Sequence, residues 1–212
     1  MNKRPDNLAC QDNLEAYFDS LHLRSPKAKN KKPPSFGRQL VGFFLTFIMA
    51  FALVFLIRSF ALQHNTVVGS SMLPTLEQRD GIFVEKISKH LSGGLKRGDI
   101  VTVDMRGRTD SEEEKYIIKR VVGLPLEHVI LSGGNVFIDG IMLNEPYLPE
   151  GVLTEIRDVR FANVILAADE YYLMGDNRSV SHDSRSMGPF ALRDVEGRMI
   201  FRFYPFDRIG TP

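Results

Sequence analysis

One cysteine, no tryptophan and five scattered histidines in 212 residues remove several kinds of protein at once. Cys10 has no partner within the chain, so a disulfide scaffold is excluded. His22, His64, His90, His128 and His182 never fall at metal-ligand spacing, and no HExxH occurs. The phosphate loop GxxxxGK(S/T) is absent, as is the GxSxG elbow of a Ser-His-Asp hydrolase. Net charge is also lacking. With 27 Lys+Arg against 26 Asp+Glu, the +1 total would exclude a basic nucleic-acid binder and an acidic disordered chain if it were evenly spread. It is not: residues 1–39 hold eight basic and four acidic residues, residues 59–212 hold 18 and 22, and Arg58 stands between.

What separates the two regions is a stretch without charge. Leu40 to Ile57, LVGFFLTFIMAFALVFLI, runs 18 residues with no ionisable group. As a helix it spans roughly 27 Å, close to the ~30 Å of bilayer hydrocarbon. A core helix of a soluble protein rarely stays apolar on every face for this length, so a transmembrane anchor over 40–57 is expected. Lys27, Lys29, Lys31, Lys32 and Arg38 crowd its N-terminal side, and Arg58 is placed to snorkel on the other. Positive flanks stay in the cytoplasm, which puts the N-terminus inside and residues 59–212 outside the cell membrane in a single pass. Ala50-Phe51-Ala52 has the small-x-small form of a cleavage site, but the apolar run continues past it and the preceding region is too long for a signal peptide.

Residues 1–39 read as a basic, largely disordered cytoplasmic tail. Leu14, Tyr17, Phe18 and Leu21 have helical spacing, and Ser25 to Ser35 is a Pro- and Lys-rich linker suited to anionic lipid. From residue 63 to 212 the pattern changes to short β-rich runs: 82–87, 99–105, 116–124, 128–131, 136–138, 171–174 and 199–204. Ser132-Gly133-Gly134-Asn135 predicts a hairpin, Asp139-Gly140 another turn, and 106–115 a solvated acidic loop. The expected fold is mainly β, an antiparallel β-sheet domain preceded by one N-terminal transmembrane helix.

Three clusters in the outer domain carry chemistry-bearing groups. Gly69-Ser70-Ser71-Met72-Leu73-Pro74-Thr75-Leu76 puts hydroxyls on a loop constrained by Pro74, which by itself is an ordinary linker. In Tyr116 to Gly123, strict alternation places Lys119 on the face of Ile117 and Val121. A Lys there either snorkels or is desolvated, and desolvation favours the neutral amine that acts as a base. Gly175 to Arg185, GDNRSVSHDSR, is dense in hydrogen-bonding groups and is otherwise a surface loop.

Together these segments resemble the type I signal peptidase family, Ser-Lys proteases that remove signal peptides from exported proteins. Ser71-Met72-Leu73-Pro74-Thr75-Leu76 is similar to the nucleophile box, Arg97-Gly98-Asp99-Ile100-Val101 to the next, Lys119-Arg120-Val121-Val122-Gly123-Leu124-Pro125 to the general-base box, and Gly175 to Arg185 to the C-terminal GDNRxxSxDSR box. Four boxes in order behind an anchor are specific where each alone is weak.

The resemblance implies the signal peptidase and self-cleaving repressor-like fold, Ser71 as nucleophile and Lys119 as general base. It further implies that Ser181 hydrogen-bonds and orients the Lys119 amine and that Asp183 and Arg185 form a supporting ion pair. Asp176, Asn177 and Arg178 would hold the loop in shape. It implies no cofactor and no metal. Gly69 stands where some members carry a Ser that helps hold the oxyanion, and Gram-positive members also carry Gly there, so the Ser71 N–H is the named donor. Leu126-Glu127 replaces the usual Gly-Asp after Leu-Pro, which puts the shape of that turn in question.

The implied partners are signal-peptide-bearing precursors, the lipid bilayer and a nearby protein export machinery, with no nucleic acid. The substrate would bind as an extended strand beside the nucleophile loop, with small residues at −1 and −3. Val67, Val68, Gly69, Met72, Leu76, Ile82, Ile117 and Ile118 are the expected substrate-binding residues. Two other readings use the same residues. A catalytically dead membrane-anchored binding module would lack the nucleophile or base, and both are present. A soluble self-cleaving Ser-Lys repressor is opposed by the 40–57 span and by the missing pair of DNA-binding helices.

Overall fold

The computed structural model describes Tyr17 and residues 36–60, 62–90, 94–106 and 115–212. Apart from Tyr17, the helical spacing of Leu14, Phe18 and Leu21, the linker 25–35 and the acidic stretch 107–114 lie outside the described residues, as do the side chains of 56–60, Arg58 included. The chain divides into two units, residues 1–49 and 50–212.

Helix α1 runs Phe36–Phe60, 25 residues and about 37 Å at 1.5 Å per residue. No proline interrupts it, and none of the 20 residues Phe36–Phe55 is buried in protein. An apolar helix of this length with no protein cover fits a single-pass membrane anchor. The hydroxyl in the middle of the helix is satisfied internally: Thr46 Oγ1 donates to the Gly42 carbonyl at 2.9 Å.

After α1 the described residues form eleven strands: β1 Leu62–Thr66, β2 Gly81–Glu85, β3 Ile100–Asp104, β4 Tyr116–Gly123, β5 His128–Ser132, β6 Asn135–Ile138, β7 Ile141–Met142, β8 Asn163–Ile165, β9 Glu170–Met174, β10 Phe190–Ala191 and β11 Val195–Tyr204. One short helix, α2, covers Ser184–Met187. The strands make a seven-stranded sheet, β1-β2-β11-β3-β4-β9-β10, and a four-stranded sheet, β7-β6-β5-β8. Every pairing is antiparallel. All seven runs expected as strands are strands, with β11 starting four residues earlier than its apolar end suggested. Ser132 pairs with Asn135 across the Gly133-Gly134 turn, and Ile138 with Ile141 across Asp139-Gly140.

Strands β1, β7, β8 and β10 were not foreseen. β1 reads LQHNT, a polar edge strand with only Gln63 and Asn65 half-buried, so it lacks an apolar alternation. β7 and β10 are two residues each, too short for any period.

Three apolar clusters fill the domain. Val101, Val103, Val121, Leu173 and Phe190 centre one, and Ile117 packs against it. Val122, Val129, Leu131, Tyr172 and Met174 join the two sheets. Val67, Met72, Leu76, Ile82, Val84, Ile100 and Met199 form the third beneath the loop that follows β1, with Ile118 against it. Strand β4 touches all three because both its faces are covered.

Candidate active site

Lys119 sits at the fourth position of β4, opposite Val101 of β3, and is 3% exposed. Its Nζ lies 3.0 Å from Ser71 Oγ and donates to the Ile118 carbonyl at 3.0 Å. Bonding one amine hydrogen to the Ile118 carbonyl fixes the direction in which the nitrogen meets the Ser71 hydroxyl.

Ser71 stands on the loop between β1 and β2, half-buried at the floor of a cleft of about 290 Å³. Val68, Gly69, Ile117 and Ile118 line the cleft with the dyad, joined by Met105, Tyr116, Val180, His182 and Met187. Gly69 has φ 91°, a conformation glycine adopts freely, and a Cβ there would meet nothing within 4 Å. The site therefore has space for a side chain at 69 but a backbone that resists one.

The loop from Gly175 to Arg185 holds the nucleophile from behind. Asn177 N–H donates to the Ser71 carbonyl at 3.0 Å and Asn177 Nδ2 to the Ser70 carbonyl at 3.1 Å. A Cβ on Gly175 would lie 2.5 Å from the Ser71 carbonyl oxygen and 2.2 Å from Ser181 Oγ, so the two segments touch only because residue 175 has no side chain.

Asp183 and Arg185, both 0% exposed, make a fork of 2.9 and 2.8 Å bonds. Asp183 also accepts from the N–H groups of Arg185 and Gly175, each at 3.1 Å, and so caps α2 while pinning Gly175. Burial pushes its carboxyl up, but the hydrogen bonds and charge of Arg185 and the Gly175 N–H outweigh it and hold it below the usual carboxylate range.

A second buried fork joins Arg120 to Asp176 at 2.8 and 2.6 Å, with Thr75 Oγ1 donating to the same carboxylate at 2.6 Å. Arg120 also stacks over the Tyr147 ring, 4.0 Å from its centroid. Arg178 donates to Glu145 at 2.5 and 3.1 Å and to Thr154 and the Gly175 carbonyl. Asp176, Asn177 and Arg178 thus all point at protein.

Two expectations need correction. The Ser181 hydroxyl, in a residue 3% exposed, does not form the expected bond to the Lys119 amine and lies instead on the Asp183 side, where it helps hold that carboxyl down. It is packed into the space that Gly175 leaves empty. Val67, Met72, Leu76 and Ile82 are not cleft residues: they are 3%, 2%, 0% and 0% exposed and fill the third core cluster. Their side chains turn beneath the nucleophile loop, and only Val68, Gly69, Ile117 and Ile118 of the expected set line the cleft.

His182, Val180, Met105 and Met187 were missed as cleft residues. Alternation about Ser181 was the available signal for Val180 and His182, but nothing in the sequence said which way that loop faces. The Leu126-Glu127 substitution keeps a tight turn: Glu127 N–H donates to the Leu124 carbonyl at 3.2 Å, and Leu126 takes φ 69° to allow it. Among the described residues no three His, Cys, Asp or Glu side chains converge to hold a metal ion.

The family described as signal peptidase, peptidase S26, matches residues 40–204, which span the anchor helix, the Ser71–Lys119 contact and the loop behind it. The chain belongs to the signal peptidase family, peptidase S26. A signal peptidase I P of Bacillus subtilis subsp. natto is 34% identical over 189 residues, 86% of this chain and 96% of the relative. A signal peptidase I of Leptolyngbya laminosa is 37% identical over 158 residues, covering 73% of this chain and 74% of its own. The solved structure of a signal peptidase I from Enterococcus faecalis V583 aligns with a TM-score of 0.41 at 23% identity, over 51% of this chain and 98% of that one. The peptidase S26 match makes this chain a type I signal peptidase, a serine endopeptidase with an apolar anchor helix at its N-terminal end.

Proposed function

We propose that Ser71 is the nucleophile and Lys119 the general base with which this peptidase cleaves signal peptides from exported precursors. The single observation that carries the assignment is the 3.0 Å contact between Ser71 Oγ and a lysine amine only 3% exposed. A serine hydroxyl is a poor nucleophile near neutral pH and needs a base within reach. The Ser71 proton passes to Nζ as Oγ attacks the scissile carbonyl, and the oxyanion accepts from the Ser71 N–H. The protonated amine then gives that proton to the leaving nitrogen, which departs and leaves an acyl-enzyme on Ser71. Water, deprotonated by the same amine, attacks the ester carbonyl, and Ser71 leaves carrying the proton back.

To act as base the amine must present a free lone pair to the Ser71 hydroxyl 3.0 Å away when Oγ attacks. The precursor would lie extended between the 65–69 segment and Tyr116–Ile118, with its small side chains in the shallow cleft.

Residues 1–39 are proposed as the cytoplasmic tail, 40–57 as the bilayer span and 63–212 as the extracytoplasmic peptidase. The basic flank from Lys27 to Arg38 supports that orientation. The site then stands where an export machinery delivers precursors. Incubating the purified full chain with a preprotein in detergent or vesicles tests the assignment. Ser71→Ala and Lys119→Ala are each expected to lose at least ~10³-fold in kcat/KM. Cleavage at an unchanged rate in either variant would sink the dyad.

A further inference from the structure

The loop 175–185 holds Ser71 from behind and also shows two side chains to the cleft. From residue 180 to 183 exposed and buried positions alternate. Ser181 and Asp183 turn into the protein, while Val180 and His182 turn out and line the cleft. Most other side chains around the dyad are apolar, Val68, Met105, Ile117, Ile118 and Met187, with the Tyr116 phenol among them. His182 is the one imidazole there. It is exposed, and it makes no hydrogen bond or ion pair with the described residues.

Strand direction decides which part of a precursor meets this imidazole. Four antiparallel pairings separate β1 from β4, so the two run the same way, from Leu62 and Tyr116 toward the ends that carry Ser71 and Lys119. Leu62 is two residues past Phe60, the end of α1, so the covalent chain keeps the starting end of the groove close to the helix end. A signal peptide is apolar ahead of its cleavage site, so the acyl part of the substrate lies toward that end and the leaving part beyond the dyad. From Arg120 onward the edge of β4 is taken by β9. The leaving chain therefore cannot follow the strand and passes over the outward face of the loop.

That face is short of free carboxylates. Asp176, Asp183 and Asp158 are held by Arg120, Arg185 and Arg160. Next to Val180, Arg157 donates to the Ser179 carbonyl and has no carboxylate partner among the described residues. Glu155, on the same segment as Arg157, is the exposed carboxylate left over. An imidazole and a guanidinium thus stand against a single free acid.

We infer that His182 is a specificity-determining residue for the leaving side, its imidazole donating to an Asp or Glu side chain within the first two residues after the scissile bond. The inference rests on Ser71 and Lys119 marking that bond. Lys and Arg are disfavoured just past an apolar segment on the outer side of a membrane, whereas Asp and Glu are tolerated there. The charged side chain that reaches His182 is accordingly acidic.

The test uses purified full-length enzyme in detergent and signal-peptide substrates in which position +1, +2 and, as a control, −2 is in turn Ala, Glu, Gln or Lys. Wild type is expected to favour Glu over Lys about five-fold in kcat/KM at +1 or +2 in low salt, and less at about 1 M salt, which screens such a pair. His182→Leu should bring the ratio to about one, and His182→Arg should keep or raise it. Because the side chain is exposed, Tm should hold in both variants, and a merely structural role would move neither the charge preference nor its salt dependence. A flat response at +1 and +2, a preference at −2 only, or a ratio that survives His182→Leu would each overturn the inference and leave the dyad standing. Failure of wild type to cut the alanine reference would overturn the dyad, and this inference with it.

Discussion

Lys119 meets Ser71 through a 3.0 Å contact, whereas the loop behind them is tied by two buried guanidinium–carboxylate forks, a helix cap and one bond each to the Ser70 and Ser71 carbonyls. The first is direct because proton transfer needs the base within hydrogen-bond reach of the hydroxyl. The second is dense because a single serine hydroxyl, on a loop between two strands, must be held to within a fraction of an ångström. Position and reactivity are supplied by different stretches of chain, Lys119 on β4 and the loop at Asn177, from which Ser71 receives its placement. If so, substitutions in one region should change rate without stability, and in the other stability before rate.

The largest separation is expected at Lys119. Lys119→Met keeps the volume and removes the amine, so turnover should drop at least ~10³-fold. The Tm of this variant should hold or rise, since a desolvated amine contributes little to folding and an apolar chain suits a buried strand. Thermal melts and single-turnover assays on the same preparation check both halves. A marked fall in Tm would show that the lysine is a structural member of β4 and would erase the contrast.

Asp183→Asn should do the reverse. Removing one partner of a buried fork strands Arg185 and costs about 3–5 kcal/mol of stability. The pH dependence follows with a definite sign. The folded-state carboxyl is held below its ordinary value, so its ionised form stabilises the fold. That contribution is complete above the unfolded-state value of about 4 and is lost as pH falls through the lower folded-state value. Chemical denaturation from pH 7 to pH 3 should show the wild type losing its advantage over Asp183→Asn at the acid end. A constant difference between the two would assign the loss to other carboxylates.

Gly175→Ala probes the junction of the two regions. The added methyl would lie 2.5 Å from the Ser71 carbonyl oxygen and 2.2 Å from Ser181 Oγ, too close to both, so one loop must shift. A displacement near 1 Å at the nucleophile is worth about 10²-fold in rate. Stability should fall by only ~1–3 kcal/mol, the usual cost of overpacking. A stability loss with full activity per folded molecule would mean that the loops separate without moving Ser71.

How much of this was legible in the sequence divides along the same line. The β-branched runs announced seven strands, and the uncharged run announced α1, because period and length are local properties. Asp183 and Arg185 are two residues apart, and a pair that near is visible as a motif. Arg120 and Asp176 are 56 apart, and Arg208 and Asp80 are 128 apart, and no local pattern links them. The cleft was read well where it follows a strand, at Ile117 and Ile118, and poorly where it depends on how the sheet rolls. Val67, Leu76 and Ile82 have the apolar character of a pocket, but the loop after β1 folds over them and turns them into core. Val180, His182 and Met187 reach the cleft from the far loop, a result of tertiary packing alone.

The smallest effect is expected at Leu126, where the terms of the Gly175 contrast are inverted. Gly175 has a relaxed backbone and no room, whereas Leu126 is 72% exposed with ample room and a strained backbone at φ 69°. With Pro125 ahead of it and Glu127 N–H bonded back to the Leu124 carbonyl, it occupies the turn position that requires positive φ. A leucine there costs roughly 1–2 kcal/mol, and the local pull that holds it is Glu127, which accepts from the Leu124 N–H at 2.7 Å and pairs with Arg97 at 2.5 Å. Leu126→Gly relieves the strain but gives the unfolded chain more freedom, so the net gain should be only ~0.5–1 kcal/mol. Leu126→Asn, which tolerates the same conformation with less unfolded-state freedom, should match or exceed it. Because this turn bonds to Arg97 and not to the cleft, kcat/KM should stay at the wild-type value in both variants. A loss of stability in Leu126→Gly would mean that the exposed side chain is held by contacts worth more than the strain it imposes.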